Sequence, residues 1–322
     1  LSVGSDDTAP ESRRDNMQDQ ETPMTHHPPP GFTWPNGAKL AFSLVVNVEE
    51  GAEKNIRDGD KGPEPVDELK ATPAKAPIRV HGNETNYQYG INRGAPRILK
   101  LLDRYDMPAT WTACSLALER APWIAKALMA RGDEPCCHGY RWKFTAFMDE
   151  GREREFIRMG ADSIEKTCGR RPAGWLSRYL HSDLTRGLLI EEGFSYHMDD
   201  YSDDFPYWDV VDLPGGGRKP IIILPYAIDS NDMKFWLDPG FTAENWVTYA
   251  KDTFDWLLAE AEEDGARMMS LGLHLRIIGR PGRIGALQQV LEYVKSKPGV
   301  WCATREQIAE AFAAAAPAPQ ID

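Results

Sequence analysis

The 322-residue sequence has few basic residues for its number of acidic ones, and it has no long uninterrupted apolar run. It carries 37 Lys and Arg residues against 49 Asp and Glu residues, which gives a formal net charge of −12. No cluster of basic side chains could follow a phosphate backbone or an anionic surface, so we expect neither nucleic acid nor a membrane as a partner. No stretch approaches the roughly 18 to 20 apolar residues that cross a bilayer, and we expect a soluble, cytoplasmic protein.

Cysteine is scarce and odd in number, which argues against a disulfide framework of the secreted type. The five cysteines are scattered, and Cys136 and Cys137 are adjacent rather than spaced as C-x-x-C. Adjacent cysteines fit neither a zinc knuckle nor a thioredoxin-like redox pair. We therefore interpret the cysteines as buried structural thiols.

Two segments lack the pattern of a packed element. Residues 1–31 are polar, acidic and rich in proline, which predicts an N-terminal arm that is disordered or wraps a neighbour. Residues 52 to about 90 are rich in Pro, Gly, Lys and Asp, which predicts a long loop of the kind that often covers a site. Together the arm and the loop favour a homo-oligomer, a dimer or tetramer, in which one subunit helps to close its neighbour's pocket.

The rest of the chain alternates between short apolar runs and helical segments. The run AKLAFSLVVNVEEG predicts a buried parallel strand. Roughly seven or eight strand–helix units predict an α/β fold, namely a distorted parallel (β/α) barrel of about seven units in a single domain over residues 32–316. In such a barrel, catalytic side chains gather at the C-terminal ends of the strands.

Charged side chains at these strand ends form one candidate site. Glu49 and Glu50 follow the first strand, and two neighbouring carboxylates split their pKa values and leave one as an ionised base. The alternation of side chains relaxes at a strand end, so we expect at least one of the two to reach the pocket. His138 and His274 each end an apolar strand, and two histidines at one rim favour acid–base chemistry. Arg178 follows the strand in PAGWLS.

The segment GDEPCCHGYRWKFT contains only half of a metal site. A catalytic zinc needs three protein ligands, often two histidines one helical turn apart. Four positions after His138 stands Trp142, which cannot bind a metal. We therefore expect no metal and no other cofactor, and if a metal is present we expect Glu50 and His138 to bind it.

Aromatic residues near the strand ends predict the walls of a pocket for a small molecule. The predicted substrate-binding residues are Trp142, Tyr201 and Trp208, with Arg280 from the tight loop after His274 as a partner for a carboxylate or carbonyl group.

These residues lie in segments that resemble the polysaccharide deacetylase superfamily, and within it the bacterial allantoinases of urate catabolism that work without a bound metal. The segments are NVEEGAEKNIRDGD, ALERAPWIAKALMARGDEPCCHGYRW, YSDDFPYW, LPYAIDSNDMKF and GLHLRIIGRPGR, which span about Lys39 to Ile308. Metal-dependent members end the first strand with two aspartates and then supply two histidine ligands. The corresponding positions here resemble Glu49, Glu50, His138 and Trp142, so the resemblance also implies a site without metal.

We therefore expect a hydrolase of a non-peptide C–N bond in a small cyclic amide, such as an allantoin-like ureide or an imide. Glu50 or Glu49 would act as the base toward water, and His274 as the acid toward the departing nitrogen. Arg178 and His138 would hold the carbonyl oxygen as negative charge develops on it.

Two alternatives stay open at this point. The first is a metal-dependent N-deacetylase of acetylated amino sugars, which would bind zinc through Glu50, His138 and a third ligand such as Asp199 or His197. The second is a catalytically silent barrel that binds a ligand or a partner through its aromatic rim.

Overall fold

The computed structural model describes residues 28–66, 68, 77–237 and 241–321. Residues 1–27 of the predicted arm and residues 67 and 69–76 of the predicted loop lie outside the described residues. The described strands are β1 (Leu40–Val48), β2 (Ala109–Ala113), β3 (Glu134–Cys137), β4 (Gly174–Trp175), β5 (Tyr196–His197), β6 (Tyr207–Asp212), β7 (Arg218–Ile223), β8 (Arg267–His274) and β9 (Val300–Cys302).

These strands form one curled sheet in the order β6-β7-β5-β4-β3-β2-β1-β8, and β9 also pairs with β1. All pairs are parallel except β6 with β7, which form an antiparallel hairpin. The two ends of this order do not pair with each other in the part of the chain that the structure describes, so the sheet forms a half-barrel. The predicted α/β class and distorted parallel barrel are confirmed.

Helices cover the strands on the outside. The described helices are α1 (His81–Tyr89), α2 (Ala95–Tyr105), α3 (Ser115–Arg120), α4 (Pro122–Arg131), α5 (Glu150–Cys168), α6 (Thr185–Glu191), α7 (Asp232–Leu237), α8 (Ala243–Glu263), α9 (Pro281–Lys295) and α10 (Arg305–Ala315). Side-chain caps explain where several helices begin. Thr242 before α8 and Thr304 before α10 each form a capping box with the residue three positions later. In the part of the chain that the structure describes, no helix is long and apolar enough to span a membrane.

Strand β1 lies near one end of the sheet, between β2 and β8, and its side chains alternate between two apolar clusters. Leu44 and Val46 belong to the larger cluster under the helices, whereas Ala41 and Val45 belong to the smaller cluster on the opposite face. This alternation decides which polar residue at the end of β1 can enter the cavity beyond the smaller cluster.

A helix begins inside the segment that the sequence predicts to be a loop. Helix α1 buries Asn83, Asn86 and Tyr87 rather than an apolar stripe, so its sequence carries no hydrophobic period that would predict a helix. A π-helical turn, Gly90–Gly94, joins it to α2. The turn brings two glycines against the end of the barrel, because Gly90 lies against the carboxylate of Glu50 and Gly94 against the backbone of Leu275.

Replacing Gly94 with alanine should destabilise the protein by about 1–3 kcal/mol, which is the usual cost of overpacking a close-packed site. An ideal Cβ at Gly94 would lie 1.9 Å from the carbonyl oxygen of Leu275, so backbone has to move. Denaturant unfolding measures the change in the free energy of unfolding. Gly62→Ala is the matched control, since nothing lies within 4 Å of its ideal Cβ. Equal stability of the two variants would contradict this packing argument.

Candidate active site

A pocket opens at the C-terminal ends of the parallel strands, where the barrel rule places catalytic residues. It encloses about 400 Å³ that no atom fills, counted out to its mouth. Its lining comes from β1, β8, α7 and the loops after β3, β4, β5 and β7. The lining residues are Asn47, Glu49, His138, Trp142, Leu176, Ser177, Arg178, Tyr179, Tyr201, Tyr226, Ile228, Asn231, Lys234 and His274.

Glu49 is the carboxylate of this pocket. Its Oε1 atom lies 3.5 Å from Nε2 of His138 and 3.4 Å from Nε2 of His274, so it stands between the two imidazoles. Its Oε2 atom accepts from Nη1 of Arg276 at 2.7 Å. Burial by itself raises the pKa of Glu49, but the positive charges of Arg276 and His274 outweigh it and hold the pKa well below its usual range. Glu49 is therefore an ionised base at neutral pH.

Glu50 points to the opposite face of β1 and does not line the pocket. Its Oε2 atom accepts from the backbone N–H of Glu49 at 3.1 Å, and its Oε1 atom accepts from the backbone N–H of Arg276 at 3.1 Å. Burial raises the pKa of Glu50 to about 7 although Arg276 opposes the shift. Alternation thus persists beyond the end of β1, and of the two carboxylates only Glu49 lines the pocket.

His274 is held as a cation by two carboxylates. Its Nδ1 atom lies 2.7 Å from Oδ1 of Asp232, whose Oδ2 atom accepts the backbone N–H groups of His274 and Ile278 at 2.8 and 3.2 Å. Burial alone lowers the pKa of His274, but the negative charges of Glu49 and Asp232 raise it to about 10. With Nδ1 donating to Asp232, the Nε2–H group faces Glu49 and the pocket.

His138 is oriented by the backbone. Its Nδ1 atom lies 2.6 Å from the carbonyl oxygen of Leu176, and because a carbonyl only accepts, Nδ1 carries the hydrogen. The Nε2 side of the ring therefore faces Glu49 and the cavity.

Arg178 is buried and forms part of a wall. Its Nη atoms donate to Glu64 at 2.5 and 3.0 Å and to the carbonyl oxygen of Trp142 at 2.7 Å. The guanidinium lies 3.7 Å from the ring centre of Trp142. Its Nε atom has no hydrogen-bond partner among the described residues, so one buried N–H stays available on this pocket-lining side chain.

Other predicted binding residues divide into two groups. Trp142 and Tyr201 line the pocket, whereas Trp208 and Arg280 do not. Trp208 lies in the β6–β7 hairpin and donates to the carbonyl oxygen of Ala316. Arg280 stacks on Tyr89 at 3.7 Å. In the structure these two side chains pack away from this pocket, since aromatic and basic residues near a strand end serve packing as readily as binding.

The predicted third metal ligands are also engaged elsewhere. His197 and Asp199 are buried and bonded to each other, with Nε2 lying 2.6 Å from Oδ2. The same Oδ2 atom accepts the backbone N–H of Ser177 at 2.6 Å. Neither residue lines the pocket.

Several contributors to the site had no role in the sequence interpretation, among them Asn47, Tyr226 and Asp232. Asp232 begins a short helix within LPYAIDSNDMKF, and an acid there carries no signal until the fold brings it against His274, 42 positions later. Arg276 stands two residues after His274. Because side chains two positions apart on a strand point to the same face, the sequence already suggested that Arg276 lies near His274.

Comparisons with known proteins identify the family. The family model described as Polysaccharide deacetylase matches residues 85–191. A curated Schizosaccharomyces pombe protein named "Putative polysaccharide deacetylase" is 36% identical over 300 residues, which cover 88% of this chain and 93% of that protein. The chain belongs to the polysaccharide deacetylase family.

Two solved structures extend this assignment to the fold. The crystal structure of a probable polysaccharide deacetylase from Pseudomonas aeruginosa PAO1 has a TM-score of 0.82 and 39% identity, covering 88% of this chain and 94% of that chain. The crystal structure of PuuE allantoinase also has a TM-score of 0.82, with 41% identity over 88% of this chain and 93% of that chain. The resemblance inferred from the motifs is confirmed, and this polysaccharide deacetylase family member is a hydrolase of C–N bonds other than peptide bonds.

The donor set of this polysaccharide deacetylase family member does not fit a zinc ion. Trp142 offers no ligand atom at the position four residues after His138. Arg276 adds a buried positive charge directly behind Glu49. In the part of the chain that the structure describes, no group of three or more His, Cys, Asp and Glu side chains could hold a metal ion. The chemistry is therefore derived from the chain's own residues.

Proposed function

We propose that the protein hydrolyses the ring amide of a small cyclic ureide or imide, with Glu49 as base and His274 as acid. One observation carries the proposal: an ionised carboxylate and a protonated imidazole face each other at 3.4 Å inside a small pocket. General base and general acid are thus both in their working protonation states at neutral pH. The 41% identity to PuuE allantoinase supports a cyclic ureide as the substrate type.

Glu49 takes a proton from water in the first step. Its Oε1 atom faces the cavity, while Arg276 fixes Oε2 and orients the carboxylate. The water oxygen then bonds to the carbonyl carbon of the ring, and the C=O electron pair moves to oxygen. When Glu49 becomes neutral, His274 loses one of the two negative charges that raise its pKa, and its proton becomes easier to transfer.

The developing oxyanion needs donors that are already in place. We assign this role to Arg178, which lines the pocket and whose guanidinium is held in place by Glu64 and the carbonyl oxygen of Trp142. His138 has its Nδ1–H bonded to the carbonyl oxygen of Leu176, so its Nε2 atom, which faces Glu49 and the cavity, serves as an acceptor that orients the attacking water.

Collapse of the intermediate breaks the C–N bond, and the ring nitrogen takes the proton from Nε2 of His274. The products are an opened ring with a new carboxyl group and a new N–H group. A proton then passes from Glu49 to His274 across 3.4 Å, which restores both starting states. The new carboxyl group loses its proton to solvent, so one water is consumed in each turnover.

A substrate panel tests the proposal. Hydantoin, allantoin, dihydrouracil and succinimide should be screened beside N-acetylglucosamine oligomers, with ring opening or acetate release measured by chromatography. We expect ring opening of at least one cyclic amide and no acetate release, because the pocket is small and walled by Trp142, Tyr179 and Tyr201. Acetate release from the oligomers without any ring opening would overturn the proposal.

A further inference from the structure

The hydroxyl of Tyr226 occupies an unusual place in the pocket wall. Tyr226 follows β7, and its Oη atom lies 3.5 Å from Nδ2 of Asn47 and 3.0 Å from Nδ2 of Asn231. All three residues line the same cavity as Glu49 and His274.

Backbone groups fix the orientation of both amides. Nδ2 of Asn47 donates to the carbonyl oxygen of Leu273 at 3.3 Å, and a carbonyl only accepts. Oδ1 of Asn231 accepts the backbone N–H of Met233 at 2.9 Å, so its Nδ2 atom must be the one that faces Tyr226. Neither amide can turn its oxygen toward the phenol without losing a backbone partner.

The hydrogen of the Tyr226 hydroxyl is therefore free for a ligand. An –NH₂ group cannot accept a hydrogen bond, so Oη is an acceptor toward both asparagines. No acceptor among the described residues is bonded to its hydrogen. Burial raises the pKa of Tyr226, so the hydrogen stays on the oxygen throughout the working pH range.

The hydroxyl is also held rigidly. An ideal Cβ at Gly272 of β8 would lie 2.0 Å from Oη and 2.5 Å from Nδ2 of Asn231, so only glycine leaves room for this group. The backbone N–H of Tyr226 donates to the carbonyl oxygen of Asp200 at 2.8 Å. A preorganised donor of this kind loses little freedom when a ligand binds.

We infer that Tyr226 is a specificity-determining residue whose hydroxyl donates to the second carbonyl oxygen of a –CO–NH–CO– ring, an inference that rests on the proposed function. In the proposed mechanism Arg178 reaches the reacting carbonyl from the loop after β4, whereas Asn47 and Gly272 hold Tyr226 against β1 and β8. A cyclic imide or ureide presents one acceptor to each wall. A simple amide has only one carbonyl oxygen, so the donor on one of the two walls has no acceptor. An unpaired buried donor of this kind lowers the affinity for the simple amide.

Ligand binding in a Glu49→Gln background tests the inference without relying on turnover. Succinimide and 2-pyrrolidinone differ by one carbonyl group, and calorimetric titration gives a Kd for each. Adding Tyr226→Phe should weaken succinimide binding about tenfold and leave 2-pyrrolidinone binding unchanged. Tyr293→Phe is the matched control, because that hydroxyl donates to Asp255 outside the pocket.

Asn231→Asp provides a second test in which the phenol is retained. A carboxylate at this position accepts the Tyr226 hydrogen and turns it away from the pocket, so succinimide binding should weaken as it does for Tyr226→Phe. If circular dichroism shows that Tyr226→Phe does not fold, Asn231→Asp still tests the inference. An unchanged ratio of the two Kd values in either folded variant would overturn the inference. Absence of ring opening by the wild type would instead refute the proposed function and leave the binding comparison valid.

Discussion

Replacing Glu49 with glutamine should lower kcat on a cyclic imide or ureide by about 10²- to 10⁴-fold, which is the range for a lost general base. The amide keeps the shape of the side chain but cannot take a proton from water. Glu50→Gln is the matched change one residue away, and we expect it to lower kcat less than about tenfold because Glu50 does not line the pocket. Initial rates of ring opening measure both effects.

The same pair of variants separates catalysis from folding. Glu50 accepts the backbone N–H of Glu49, so Glu50→Gln should cost about 1 kcal/mol of unfolding free energy. Denaturant unfolding of both proteins checks this expectation. Equal losses of kcat in the two variants would show that the assignment of the base to Glu49 is wrong.

Replacing Asp232 with asparagine should lower kcat at neutral pH by about 10²-fold or more and should change the pH profile. In the wild type, His274 works as an acid only while it is protonated, so kcat/KM should hold through neutral pH and fall as the pH rises through about 10. Asp232 is one of the two charges that raise this pKa, and its loss should move the alkaline limb to lower pH. The measurement is kcat/KM from pH 6 to 11.

Asp229→Asn is the control for Asp232, since Asp229 lies in the same loop but accepts from the hydroxyl of Tyr249 and does not line the pocket. Its profile should match that of the wild type. An Asp232→Asn enzyme whose alkaline limb stays near pH 10 would show that His274 does not supply the proton.

Much of the site followed from one rule that applies to the sequence directly. Parallel strands deliver their C-terminal side chains to a common edge, and this rule predicts a common site for Glu49, His138, Arg178 and His274. Because hydrophobic runs mark buried strands clearly, the strand ends were known within a residue or two. The rule depends on pattern alone and needs no knowledge of loop paths.

The features that were missed depend on long-range packing. Helix α1 buries asparagines instead of an apolar stripe, so nothing in its sequence distinguishes it from the surrounding loop. Asp232 meets His274 only because α7 packs against the end of β8. Trp208 is an aromatic residue near a strand end, as a pocket-wall residue would be, yet the β6–β7 hairpin carries it away from the pocket and toward α10.

Local sequence does not determine which of Glu49 and Glu50 faces the pocket. Adjacent acids at a strand end differ by one step of side-chain alternation, and the sequence could not say whether that alternation continues past Val48. It does continue: the carboxylate of Glu50 packs against Gly90 of the π-helical turn, where a Cβ would clash with it, and accepts from the backbone N–H of Arg276. Two adjacent glutamates therefore differ in their surroundings: Glu49 lines the pocket, whereas Glu50 is buried on the opposite face of β1.

Activity after metal removal, with the metal content of the same sample measured by mass spectrometry, tests the central claim most directly. The claim is that Glu49, His274 and Arg178 carry out amide hydrolysis with no metal ion as a participant. We predict that chelator-treated protein with far less than one metal ion per chain opens the ring of a cyclic ureide or imide at the untreated rate. Loss of that activity on chelation, and its return when one equivalent of zinc is added, would contradict the account.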